Sequence, residues 1–356
     1  MPAPPPIPET MRAWQLHEYG EPLDVLRIDE VSVPVPGAGE LLVEVQAIPL
    51  NLNDMERVTG RNMMVRPDLP TIPGMEVMGV VVACGDGTEP RLGERVVAVP
   101  RQAYGGYAEY AVCPSHSAFP MPAEIGLPDA AALYFPFHLA WLGLFDRAKL
   151  TAGESVLIHA AAGGSGSAAI QAAKHVGARV FATASSAAKL ELCTDLGADV
   201  VINYLEEDFA DVVLDATDGR GVDVVFDNVG ETVLAGSTKC IAYNGRYLLM
   251  GFASDKSHVD QKYVVPRSLA VGNFSMAGAM LAYIPDAGAA DLKRLIGFNF
   301  VPESVGQRFM KEINDLVLQG KLRPVIDKVV DFDDLPAALH ALSSRETTGR
   351  TVVRLW

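Results

Sequence analysis

The sequence predicts an α/β protein in which a doubly wound parallel sheet is joined to a smaller, mainly β domain, and three observations carry that reading. After Asp129, Ala-rich helical windows alternate with β-branched strands at Ser155 to His159, Arg179 to Thr183, Asp199 to Ile202 and Asp223 to Asp227, the βαβ pattern of a parallel sheet. The first of these strands runs straight into a glycine turn and then an alanine-rich helix. Before Pro122 the chain shows short β runs instead, Leu41 to Ile48, Val77 to Ala83, Arg95 to Val99 and Tyr107 to Val112, broken by Gly and Pro.

A chain of 356 residues exceeds what one core usually organises, so two domains are expected. Near the end, Lys311 to Gln319 reads as a helix closed by Gly320, Val325 to Phe332 as a strand and Leu335 to Ser343 as a helix. These elements rejoin the first domain, giving 1–132 with 321–356 as one lobe and 133–320 as the nucleotide lobe. The first ten residues, MPAPPPIPET, have no signal-peptide pattern and read as a flexible arm. No repeat of solenoid or propeller length occurs.

The formal charge of −15, from 29 basic and 44 acidic residues without a basic run, disfavours nucleic acid as a partner. No apolar stretch is long enough to span a bilayer free of charges and glycines, so no membrane is expected. The four cysteines are scattered without a CxxC pair, which points to a reducing compartment, with the cytoplasm as default.

The strongest local signal is ESVLIHAAAGGSGSAAIQAAKHVGARVFATAS, where Gly163, Gly164, Ser165 and Gly166 open the helix after the first strand. Small residues there let the backbone approach a pyrophosphate, and free amides at the helix start bind it. An NAD-selective unit would place an acid after the second strand to accept from the ribose 2′-hydroxyl. Here that strand leads into Ser185, Ser186 and Lys189, hydroxyls and a cation suited to a 2′-phosphate, so NADPH is the expected cofactor. Ser185 and Ser186 also suit a plain helix cap.

From Met11 to Trp356 the chain resembles the medium-chain dehydrogenase/reductase superfamily, and within it the zinc-free quinone oxidoreductase (NADPH:quinone reductase) family. The segments that carry the resemblance are PGAGELLVEV (Pro36 to Val45), NLND (Asn51 to Asp54), IPGMEVMGVV (Ile72 to Val82), GERVVAV (Gly93 to Val99), GGYAEYAVCP (Gly105 to Pro114), GRGVDVVFDNVG (Gly219 to Gly230) and GKLRPVID (Gly320 to Asp327). It implies a Rossmann sheet with a GroES-like catalytic domain. It also implies that Tyr204 joins Lys189 around the 2′-phosphate, with Arg345 as a further partner, and that Asn228, Gly251, Phe252 and more weakly Asn273 lie along the nicotinamide side. Relatives often have Thr-Ala-Trp after the domain junction; this chain has Leu139, Ala140 and Trp141, which removes a hydroxyl. Relatives commonly dimerise through the edge of the nucleotide sheet, so a homodimer is expected, with Val271 to Ile284 apolar enough to serve. Residues 282–307 depart most from the family pattern and are not placed.

Zinc-dependent members place a Cys three residues before an Asp and a His inside Gly-His-Glu. Here those positions hold Asn51 and Met75, poor zinc ligands, so no metal is expected. Without a Lewis acid the acceptor must already be electrophilic, which fits a quinone or other conjugated carbonyl as the small-molecule electron acceptor. Asn51 is the first candidate polar contact at the reacting end, through its amide, and Asp54 the residue that orients its turn; NLND could equally be a structural turn and cap. Two alternatives stand beside this reading. One is an enoyl-thioester (acyl-CoA) reductase of the same fold, although the Tyr such relatives often carry after the glycine is absent, since Gly60 is followed by Arg61. The other is an NADPH-binding sensor with little turnover.

Overall fold

A computed structural model describes residues 6–62, 65–89, 91–250, 266–297, 299–344 and 347–356. By packing, the chain divides into two compact units, Met1–Tyr134 with Ala282–Trp356, and Phe135–Leu281.

The first unit opens with β1 (Thr10–Leu16), the one-turn α1 (Pro22–Val25) and β2 (Leu26–Ser32), which returns antiparallel on β1. Val33 N donates to Glu9 O at 3.0 Å, so backbone pairing already begins inside the stretch read as an arm. There follow β3 (Glu40–Pro49), α2 (Leu52–Val58), β4 (Val77–Cys84), β5 (Arg95–Ala98), β6 (Tyr110–Pro114) and β7 (Ala118–Pro120). Leu41, Val43 and Val45 alternate along β3 and meet Val77, Val81, Val96 and Ala111 in one core. A period of two is what buries one face of a pleated strand.

The second unit opens with α3 (Tyr134–Trp141) and continues through β8 (Ser155–Ile158), α4 (Gly164–Val176), β9 (Arg179–Ala184), α5 (Ala187–Asp195), β10 (Val200–Asn203), α6 (Phe209–Ala216), β11 (Val222–Asp227), α7 (Glu231–Lys239), β12 (Ile241–Leu249), α8 (Pro266–Gly272) and β13 (Ser275–Gly278). Its six strands are parallel in the order β10-β9-β8-β11-β12-β13. β8 and β11 are buried along their whole length, as expected of strands covered on both faces. The order runs outward in both directions from β8 and β11, and ligands of such sheets bind at the carboxyl ends beside that reversal.

The chain then adds β14 (Tyr283–Ile284), α9 (Ala289–Ile296), β15 (Val301–Pro302), α10 (Glu303–Leu318), β16 (Ile326–Asp331), α11 (Leu335–Ser343) and β17 (Arg350–Arg354) to the first unit. The return therefore comes at residue 282, earlier than the 321 expected from sequence. Side-chain packing is the reason. Tyr283 meets the Phe119 ring edge-on at 5.3 Å, Gly306 leaves room for both rings, and Asn314 Nδ2 donates to Pro120 O at 3.1 Å. β17 closes the larger sheet, β16-β17-β3-β4-β5-β7 with β6 also on β3, by pairing Val352 with Pro49 and Val353 with Ile48. That pairing brings the start of β17 beside the start of α2. No helix among the described residues is long and apolar enough to cross a membrane.

Candidate active site

The glycine turn sits at the carboxyl end of β8. Gly163 is the N-cap of α4 and gives it no side-chain cap, so the opening amides at Gly164, Ser165 and Gly166 lie outside the helix's own hydrogen-bond ladder. A Cβ on Gly166 would lie 2.4 Å from Ala160 O and 2.6 Å from Ala161 Cα, so only glycine allows the helix to start this close to the strand. Ala161 N donates to Thr183 O at 3.1 Å and ties the turn to β9.

β9 ends at Ala184, and Ser185 and Ser186 follow at its carboxyl end without an acid. Ser186 is the N-cap of α5, yet its hydroxyl makes no cap hydrogen bond, and Lys189 stands in the first turn. Tyr204 follows β10; its amide donates to Ala184 O at 3.2 Å and its ring is exposed. Ser185, Ser186, Lys189 and Tyr204 thus gather at the ends of two adjacent strands, next to the glycine turn.

On the other side of β8, β11 ends in Asp227, a fully buried carboxylate whose protonation burial pushes upward. One of its oxygens accepts the amides of Val229 at 2.7 Å and Gly230 at 2.8 Å, and the other accepts the Tyr247 hydroxyl at 2.7 Å. Asn228, held within that loop, has its Nδ2 buried without a hydrogen-bond partner among the described residues. A buried, unsatisfied amide is costly in isolation and is what a bound ligand oxygen would relieve. Asn273 is not part of this group. It precedes β13 at the amino end of the sheet, where its carbonyl accepts from Asn244 N at 2.9 Å. Gly251, Phe252 and Arg345 lie outside the described residues.

His159, at the end of β8, was not singled out from sequence. Its Nδ1 lies 3.0 Å from Thr183 Oγ1 and its Nε2 2.8 Å from Ser237 Oγ. Because the Ser237 hydroxyl donates to Val233 O at 2.7 Å, His159 carries its proton on Nε2 and accepts the Thr183 hydroxyl at Nδ1. Burial lowers its pKa to about 3, so the folded state keeps it neutral while the unfolded state protonates near pH 6.5. The folded pKa is depressed, so stability falls as pH drops through that window, by about 2 kcal/mol from this residue between pH 7 and 5. In urea titrations His159→Gln is expected to lose about that much less than the wild type over the same interval. Identical pH dependences would contradict the assignment.

In the first unit, Asp54 is fully buried, and burial raises its pKa. Its carboxylate accepts Asn51 N and Met75 N, each at 3.1 Å, so it does fasten the NLND turn to the Gly74-Met75-Glu76 segment. Asn51 is arranged differently from the expected donor to an acceptor oxygen. Its Nδ2 donates to Pro49 O at 3.2 Å and to Glu76 Oε2 at 3.0 Å, which engages both amide hydrogens. Its Oδ1 accepts Arg350 Nη1 at 2.6 Å, and Arg350 Nη2 reaches Glu76 Oε2 at 2.7 Å. Arg350 and Glu76 are almost completely buried. These residues do not fit zinc: the amide oxygen is taken by a guanidinium, Met75 offers a thioether, and a second cation would face Arg350. Among the described residues no group of three or more His, Cys, Asp or Glu could hold a metal.

A glycine turn at the reversal point of a parallel sheet, with hydroxyl and cationic side chains at the neighbouring strand ends, is the geometry of a dinucleotide-binding sheet. Comparison with known proteins agrees. Residues 37–123 match the family described as alcohol dehydrogenase GroES-like domain, and residues 164–294 the family described as zinc-binding dehydrogenase. The chain is 30% identical to quinone oxidoreductase-like protein 2 homolog of Nematostella vectensis, over 97% of this chain and 89% of that protein. It is 31% identical to 2-methylene-furan-3-one reductase of Solanum lycopersicum, over 98% and 80%. The crystal structure of Escherichia coli quinone oxidoreductase complexed with NADPH superposes with a TM-score of 0.83 at 26% identity, covering 96% of this chain and 99% of that one. The chain belongs to the quinone oxidoreductase family of medium-chain dehydrogenase/reductases.

Proposed function

We propose that this protein uses NADPH to reduce a quinone or another conjugated carbonyl by direct hydride transfer, without a metal. The observation that carries the reading is the buried Arg350 guanidinium on Asn51 and Glu76, which leaves no Lewis-acid site at the NLND turn. An acceptor that needs no metal polarisation follows from that chemistry. The names of the sea-anemone and tomato relatives, one a quinone oxidoreductase-like protein and the other an enone reductase, support the acceptor class.

NADPH supplies the hydride. The Gly164, Ser165 and Gly166 amides hold the pyrophosphate, while Ser185, Ser186, Lys189 and Tyr204 hold the 2′-phosphate. The Asn228 amide, whose Nδ2 has no hydrogen-bond partner among the described residues, would donate to the nicotinamide half. The proton that completes reduction comes from solvent. With no acid at the end of β9, the 2′-phosphate is the feature that Lys189 reads. Lys189→Ala is therefore expected to weaken NADPH roughly ten- to a hundredfold, the worth of a charge-assisted hydrogen bond, and NADH by less than twofold. Steady-state oxidation of each cofactor with a small para-quinone checks this, and equal losses would refute the assignment. In the same assay a crotonyl thioester is expected to be turned over no better than the quinone; a wide preference for it would favour the enoyl-thioester reading, and NADPH binding without turnover the sensor.

We also propose that the protein works in the reducing cytoplasm, in keeping with its four free cysteines, and as a homodimer through the edge strand β13. Light scattering should give twice the 38.0 kDa chain mass; the single-chain mass would exclude the dimer.

A further inference from the structure

The strand ends of the second unit hold buried polar groups that the proposed chemistry does not itself use. Asp227, Tyr247, Ser237 and His159 are each at most 1% exposed. Groups this deep are retained at a desolvation cost unless their bonds do something in return.

The bonds form two groups at the carboxyl ends of the central strands. Thr183 on β9 donates to His159 at the end of β8, and His159 donates to Ser237 on α7. Separately, the Tyr247 hydroxyl on β12 donates to Asp227 at the end of β11. Asp227 grips the amides of Val229 and Gly230, on the far side of Asn228 from the strand. Gly230, at φ +95, makes the bend that this grip requires. Asn228 Nδ2 is left buried and without a hydrogen-bond partner among the described residues.

We propose that Asp227, braced by Tyr247, is a positioning residue that aims the Asn228 amide at the nicotinamide half of the dinucleotide. The proposal rests on the NADPH reading given above. Asp227 touches neither cofactor nor acceptor; it acts through the loop. Its removal should therefore disturb the nicotinamide half and spare the adenosine half, which is bound by other residues.

The test compares binding of NADPH with that of adenosine 2′,5′-bisphosphate, which carries the phosphates but no nicotinamide, together with turnover of a para-quinone. Asp227→Ala is expected to weaken NADPH about tenfold and lower kcat by one to two orders of magnitude, with the bisphosphate constant changed less than twofold. Asp227→Asn should restore most of both, since its amide oxygen keeps the two loop amides and its NH2 can face Tyr247. Should Asp227→Ala fail to fold, Tyr247→Phe removes that brace only and should show the same selective loss in smaller size. Equal weakening of both ligands, or no effect on either, would overturn the positioning role. Failure of the wild type to bind the bisphosphate at all would instead overturn the cofactor reading, and the proposal with it.

Discussion

Gly166→Val is expected to abolish measurable NADPH binding, and Gly166→Ala to weaken it by about one to two orders of magnitude. The added Cβ meets two backbone atoms, Ala160 O at 2.4 Å and Ala161 Cα at 2.6 Å, and neither can swing aside as a side chain would. The helix must tilt away from the turn, which moves its opening amides off the pyrophosphate. Losing charge-assisted hydrogen bonds worth about 1.5 to 3 kcal/mol gives that range for the alanine variant, and valine adds overpacking against the same atoms. Fluorescence titration with NADPH checks the loss, and circular dichroism checks that the fold survives. An unchanged dissociation constant in folded Gly166→Ala would show that α4 does not hold the phosphates.

Arg350→Met should be the most destabilising single change near the NLND turn. It removes the guanidinium from Glu76, 0% exposed, and it frees the Asn51 carbonyl. Breaking a buried pair by deleting one partner costs about 3 to 5 kcal/mol, whereas deleting both charges is often close to neutral. Urea unfolding of Arg350→Met should show that loss, and Arg350→Met with Glu76→Gln should recover most of it. If the double variant is as unstable as the single one, the pair is not what holds the turn.

Much of this was legible because it depends on neighbours in sequence. The glycine turn, the missing acid after β9, Lys189 within one turn of Ser186 and the helices at the C-terminus all follow from local spacing. What was not legible depends on distant partners. Arg350 lies 299 residues from Asn51, and nothing near NLND announces that its amide hydrogens are engaged. Arg350, opening a strand whose next residues are Thr351, Val352 and Val353, was a hint that a counterion lies buried beside it. His159 and Ser237 are likewise 78 residues apart, and a histidine ending a strand of Val, Leu and Ile carried the same kind of hint. Asn273 was grouped with the nicotinamide side by resemblance alone, and nothing in the local segment shows that it precedes β13 at the amino end of the sheet. The return to the first unit was placed late because the contacts of Tyr283, Gly306 and Asn314 with β7 leave no local period.

The proposed reaction is hydride transfer from NADPH to a conjugated carbonyl without metal. Its most direct test is deuterium transfer from 4-deuterated NADPH, with both faces of the ring labelled in turn, to a simple enone, using protein stripped with chelator and checked for metal content. The expected result is deuterium at the β-carbon of the product, from one labelled face only, at a rate unchanged by the chelator. Turnover that vanishes in chelator and returns with zinc, or product free of deuterium from either face, would contradict the account.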